Sequence, residues 1–309
     1  MPRIATHYFF GQRIIKHNED LKKCSEAAKK AYFLGNLGPD AFFCKKVLRE
    51  CAYDLHQRRI NAPIYYMNEY AIKQSEDKRQ ILEAYIKGYI NHFILDSVAH
   101  PFVFSLQRRE KEKAGLSDRY DIYLHRRIES VIDIVMSREE LGLGAVDFKP
   151  HRTIPSDQNV FNELDAMLQY ALERTFKIKL KKNDITACFK IFRFLSIIAY
   201  SPAGIKKSIV RVIEWLFRRP YDLSASFFTL FEDENEDYMN YSKSEWENPF
   251  DKSKKSNQSF LEIFEAAEKK AAAVLNKYDN EKNEENFKAI NLTEGISYET
   301  GLKADEQDI

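Results

Sequence analysis

Three residues with metal-binding side chains, His92, Asp96 and His100, lie four apart in the stretch GYINHFILDSVAHP, residues 88–101. In a helix each four-residue step drifts only about 40° around the axis, so all three share one face. Phe93, Ile94, Leu95, Val98 and Ala99 lie between them, so the helix and its polar stripe are expected to be buried. Buried imidazoles and carboxylates need partners, and a divalent metal would supply them. A single core histidine beside two half-exposed polar groups is the competing reading, and three ligand-type residues on one stripe tell against it. His125 and Glu129 repeat the four-residue spacing in IYLHRRIESVIDIV, a common way for one helix to offer two ligands to one ion. A surface histidine–glutamate pair is the alternative there, opposed by the apolar Ile122, Leu124, Ile128, Val131 and Ile132 around it. Asp40, held on the loop GNLGPD, suits either a metal ligand or the N-cap of the following AFFCKKVLREC helix. His56, in AYDLHQRRINAP, reads by itself as a surface or boundary histidine. Together with His7 in THYFFGQR, five of the seven histidines lie near apolar sequence, all of them within the first 125 residues. The other two, His17 and His151, sit in polar surroundings and receive no role. The concentration points to a multi-metal site assembled from several helices.

The elements that must position these residues read as helices throughout. The pattern predicts helices over 14–34, after Asp40, over 63–74 and over 78–100, the last broken by Pro101. A charged, solvated connector follows at 107–118. After the His125 helix, further helices are expected over 159–175, 184–200, 202–217 and 259–278, with an acidic loop at 232–237 and an irregular aromatic stretch, YMNYSKSEWENPF, between the last two. No strand alternates convincingly, no repeat recurs and no glycine-rich phosphate loop is present. The expected fold is all-α: one multi-helix domain over 1–278 with a multi-metal site between helices, and a polar, loosely held tail over 279–309.

Composition narrows the function. Of 309 residues 31% are charged, yet they nearly cancel to +1, which removes any general electrostatic case for nucleic acid. The four cysteines show no CxxC spacing, and the opening MPRIATHYFFGQ lacks a leader pattern, so a cytoplasmic protein with reduced thiols is expected. The longest mostly apolar run, Ala187 to Tyr200, contains Lys190 and Arg193 and falls short of the ~20 residues a membrane span needs; it reads as a core helix. The 202–217 helix sets Ile205, Ile209, Val212, Ile213, Leu216 and Phe217 against Lys206, Lys207, Arg211, Arg218 and Arg219. Such a helix can lie on an anionic membrane, although core packing of its apolar face is the commoner use.

THYFFG, GPD, the H-x3-D-x3-H followed by Pro101, and the H-x3-E resemble, in content and order, the zinc-dependent phospholipase C family. That family shares its helical fold with single-strand-preferring nucleases. The resemblance covers roughly residues 1–135, and NPF and SFLEIFEAA extend it into the C-terminal part. It implies two to three zinc ions: one held by Asp40, His56, His92 and Asp96, a second by His100, His125 and Glu129, and a third bridged by Asp96 and held by His7. Secreted members complete the third site with a processed N-terminal tryptophan, for which the Pro2 amine is the counterpart here. It further implies water-driven cleavage of a phospholipid or related small phosphodiester, with Asp40 the candidate to orient or deprotonate the water. Where family members place a choline-contacting aromatic residue after the loop aspartate this chain has Ala41, so choline specificity is not expected. The alternatives are a nuclease of the same fold, which would need stacking platforms and a basic groove, and a metal-stabilised lipid-binding scaffold without turnover. A di-iron bundle usually needs paired Glu-x-x-His helices, and these are absent. The sequence sets no oligomeric state.

Overall fold

The computed structural model describes residues 3–231, 236–284, 287 and 291–304. The Pro2 amine, positions 232–235 of the acidic loop and the remaining tail positions lie outside the described residues. Among the described residues the α-helices are α1 (Ile4–His17), α2 (Glu19–Lys23), α3 (Glu26–Gly35), α4 (Lys46–Gln57), α5 (Asn61–Ala71), α6 (Glu76–Ala114), α7 (Asp121–Leu141), α8 (Gln158–Phe176), α9 (Asp184–Ala199), α10 (Ile205–Leu216) and α11 (Phe260–Glu281). Two short antiparallel strands, β1 (Trp246–Asn248) and β2 (Asp251–Ser256), pair Trp246 with Ser256 and Glu247 with Lys255. The fold is all-α apart from this ribbon. The helix starts follow the expected chemistry: Asn18 caps α2, Ser25 caps α3 and Asp157 caps α8, each side chain accepting from a backbone N–H of the first turn.

Helix α6 does not stop at Pro101 as the sequence suggests; it runs 39 residues, with the proline inside it. Proline removes the backbone donor that would reach Ser97 and costs about 3 kcal/mol in a helix interior. Phe102, Val103 and Leu106, all buried, follow on the next two turns, and burial of such side chains contributes about 1.5–3 kcal/mol each. The packing gain exceeds the proline penalty. The expected solvated connector therefore begins as about two more turns of helix.

The chain divides into two compact units. One comprises the described residues of Phe10–Ser97, Ile154–Arg193 and Ala266–Ile309. Its centre is the crossing of α3 and α6, where two glycines bring the backbones together. A Cβ at Gly35 would stand 2.2 Å from the Tyr85 carbonyl oxygen, and one at Gly88 would stand 2.1 Å from that of Tyr32. Around the crossing, Asn91 donates to the Tyr32 hydroxyl (2.7 Å), which donates in turn to the Gly11 carbonyl (3.1 Å). Buried Lys87 pairs with Asp279 at 2.7 Å. The C-terminal segment is held more firmly than its polar composition suggests: Tyr298 is fully buried, its N–H donates to the His56 carbonyl (3.0 Å) and the Ser297 hydroxyl donates to the same oxygen (3.1 Å).

The other unit comprises the described residues of Met1–Phe9, Val98–Thr153 and Phe194–Glu265. Buried Asp133 on α7 fastens the start of α1, accepting from the backbone N–H groups of Ala5 (3.0 Å) and Thr6 (2.9 Å) and from the Thr6 hydroxyl (2.6 Å). The carboxylate lies where a helix N-terminus favours negative charge. Here two expectations fail. The last turns of α9 are not core, since Phe194, Leu195 and Ile198 are exposed, and the apolar face of α10 is exposed rather than packed. Glu214 is the buried residue of α10, because its carboxylate accepts from the Leu223 (2.7 Å) and Ser224 (3.1 Å) N–H groups and ties the following turn to the helix.

Candidate metal centre

Asp40, His56 and His92 converge in the first of these units. Asp40 sits in a 3-10 turn, Gly38–Cys44, opened by a glycine at φ +53° and by Pro39. That turn ends before α4, whose N-cap is Lys45, so Asp40 is not the helix cap. A Cβ at Gly38 would stand 2.1 Å from Cδ2 of His92; the glycine is required both by its left-handed conformation and by the ring against it. His56 comes from the last turn of α4 and His92 from the middle of α6. Their Nε2 atoms lie 3.4 Å and 4.0 Å from Asp40 Oδ1. His92 Nε2 is also 3.0 Å from Oδ2 of Asp96, one turn on. His56, His92 and Asp96 are buried, while the Asp40 side chain keeps 15% exposure.

Hydrogen bonding fixes the tautomers. The His56 Nδ1–H donates to the Ala52 carbonyl at 2.6 Å and the His92 Nδ1–H to the Asn36 carbonyl at 3.1 Å. A carbonyl only accepts, so Nδ1 carries the proton and a neutral ring turns its Nε2 lone pair towards a carboxylate oxygen. Lone pair and carboxylate repel unless a proton or a cation lies between them. This is the arrangement by which outer groups orient histidine ligands for a metal. Burial alone would lower the pKa of His92, but Asp96 and then Asp40 push it above the ordinary 6.5.

His100, His125 and Glu129 converge in the other unit. His125 Nε2 is 3.0 Å and His100 Nε2 4.0 Å from Glu129 Oε1. His100 and Glu129 are buried, and His125 is partly open, its side chain 19% exposed. The His125 Nδ1–H donates to Oε1 of Gln107 at 3.0 Å, repeating the orientation seen at His56 and His92. Within each trio one donor atom per residue lies within 4.8 Å of the others, close enough to share an ion. Imidazole nitrogens with carboxylate oxygens are the donor set zinc takes, so the residues fit the metal. His7 is buried on α1. Of the two histidines without a role, His17 is exposed at the end of α1 and His151 stands edge-on to Tyr200 at 5.2 Å.

Three contributors escape a sequence reading. Gln107 sits seven residues after His100, which is the same helix face, and that spacing was the available signal. Asn36 contributes through its backbone, which residue type does not disclose. Tyr298, whose ring centroid lies 5.3 Å from that of His56 and 5.8 Å from that of His92, comes from a segment with no periodic pattern.

No curated protein and no solved structure matches the chain. A family model described as zinc dependent phospholipase C matches residues 6–191. The match runs past the motifs near the N-terminus to α9, and takes in both converging trios. With that span, and with two groups of zinc-type donors between its helices, the chain belongs to the zinc-dependent phospholipase C family.

Proposed function

We propose that the protein is a zinc-dependent phosphodiester hydrolase acting on a phospholipid. Asp40, His56, His92 and Asp96 would hold one zinc and His100, His125 and Glu129 a second. The observation that carries this reading is the set of histidines whose Nδ1–H groups are engaged by acceptors while Nε2 faces a carboxylate. Bound zinc supplies Lewis acidity towards phosphoryl oxygens and lowers the pKa of water to about 7.

The chain's own residues supply the rest. Gly38 and Pro39 present the Asp40 carboxylate from a rigid turn, and its partial exposure distinguishes it from buried Asp96. Asp40 is thus the more accessible of the two carboxylates near His92, and its oxygen left free of metal would orient the attacking water and accept its proton. Ala41, fully buried, offers no aromatic wall to a choline group, so recognition rests on the phosphodiester rather than on that headgroup. The test is hydrolysis of phosphatidylcholine, phosphatidylglycerol and a chromogenic phosphodiester by the purified protein. Turnover abolished by a chelator and restored by zinc is expected; zinc-replete protein that turns over none of them contradicts the enzymatic reading.

A further inference from the structure

Helix α10 is turned inside out. Ile205, Ile209, Val212, Ile213 and Leu216 recur at the spacing of one helix face, and every one of them is exposed, Ile209 at 56%. Beside them Trp215 is 64% and Phe217 74% exposed. A surface helix ordinarily turns such a stripe towards the core; here the inward position is occupied by Glu214, committed to the N–H groups of Leu223 and Ser224. Phe194, Leu195 and Ile198 on the last turns of α9, and Leu223 after α10, extend the exposed apolar surface. Contiguous apolar surface of this kind marks an interaction site.

Charge selects the partner. From Phe194 to Leu223 the cations are Lys206, Lys207, Arg211, Arg218 and Arg219, and the acids are Glu214, which is buried, and Asp222, which is half-buried. With the whole chain at +1, this is a local concentration of positive charge. A second copy of the chain would set these cations against one another, which disfavours self-association. An apolar stripe carrying an exposed tryptophan and bordered by lysine and arginine matches a helix lying in the interface of an anionic bilayer. No helix among the described residues is long and apolar enough to cross a membrane, so the match is to a helix that lies on the surface.

We propose that residues 194–223, the end of α9 with α10, dock the protein onto anionic lipid bilayers, the apolar stripe entering the headgroup region and the five cations meeting lipid phosphates. The proposal stands on this segment alone and does not rest on the metal chemistry. The full-length protein is sedimented with vesicles of equal parts phosphatidylglycerol and phosphatidylcholine, and with vesicles of phosphatidylcholine alone. Recovery with the anionic vesicles, weakened by salt, and a blue shift of tryptophan emission that Trp215→Phe removes are expected. Ile209→Glu combined with Ile213→Glu lowers vesicle affinity by roughly tenfold or more, with circular dichroism and zinc content unchanged because both side chains already face water. Arg218→Gln with Arg219→Gln weakens binding to the anionic vesicles and flattens its salt dependence. Undiminished binding by the glutamate variant overturns the proposal, as does failure of the wild-type chain to bind anionic vesicles. A concentration-dependent dimer that the glutamate variant abolishes, without vesicle binding, overturns it in favour of a second copy. Vesicle binding without zinc would contradict the hydrolase reading alone, and zinc-dependent turnover of a soluble phosphodiester without vesicle binding would contradict this one alone.

Discussion

Asp96 stands where the metal chemistry and the packing meet. It is fully buried on α6, and one oxygen lies 3.0 Å from Nε2 of His92. Asp96→Asn keeps the shape and removes the charge. It is expected to lower zinc content and the thermal midpoint together, because metal-binding free energy is folding free energy. Elemental analysis and thermal unfolding of the same preparation check both halves, and unchanged zinc content would remove Asp96 from the ligand set. Gln107 acts one step further out. Gln107→Leu removes the acceptor of the His125 Nδ1–H, so zinc affinity should fall about 10–100-fold with little loss of fold stability, as read by competition with a chromophoric chelator. At this scale the sequence was highly legible. Ligand-type side chains four apart on one helix are visible in a string of letters. Carbonyl partners such as Ala52 and Asn36 are not, because every residue carries one. The N-cap reading of Asp40 is excluded by the 3-10 turn that separates it from the N-terminus of α4.

At the scale of elements, α6 shows what local rules decide and what they do not. The stripe of His92, Asp96 and His100 is a local property and forms as expected. The end of the helix is not, since burial of Phe102, Val103 and Leu106 carries it past Pro101. The crossing with α3 is equally non-local: Gly35 and Gly88 matter only because each meets the other's helix. Gly88→Ala places a methyl carbon 2.1 Å from the Tyr32 carbonyl oxygen, and the backbone on the far side cannot yield as a side chain would. Overpacking of this kind costs about 1–3 kcal/mol or more, so the denaturant midpoint should fall clearly, whereas Gly115→Ala, with open space around its Cβ position, is limited to the strain of its positive φ. Equal effects of the two substitutions would refute the close-contact account. Helices α9 and α10 were misread for an instructive reason. An amphipathic pattern reports that a helix has an apolar face, while the hydrogen bonds of Glu214 decide which way that face turns.

For the whole molecule the question is whether a cation holds each trio together within its own unit. Protons and zinc compete for the same Nε2 atoms, which gives pH dependence of opposite sign in the two forms. Without metal, the pKa of His92 is raised above 6.5 in the folded chain; the stability it contributes is fully present below 6.5 and is lost as pH rises through the raised value. With zinc bound the same ring must be neutral, so stability is lost as pH falls through that range. Thermal unfolding of zinc-loaded and chelator-treated protein across this pH range should therefore show that removing zinc reverses the His92 contribution to the slope. Parallel profiles would mean that no metal contacts this ring.

The most direct test is zinc per chain, measured by elemental analysis on freshly purified protein before any metal is added. Two to three zinc ions per chain, lost on chelation and recovered on adding zinc back, are predicted. A value near zero that also resists reconstitution would contradict the account, leaving the trios as buried ion pairs and the hydrolase reading without its metal.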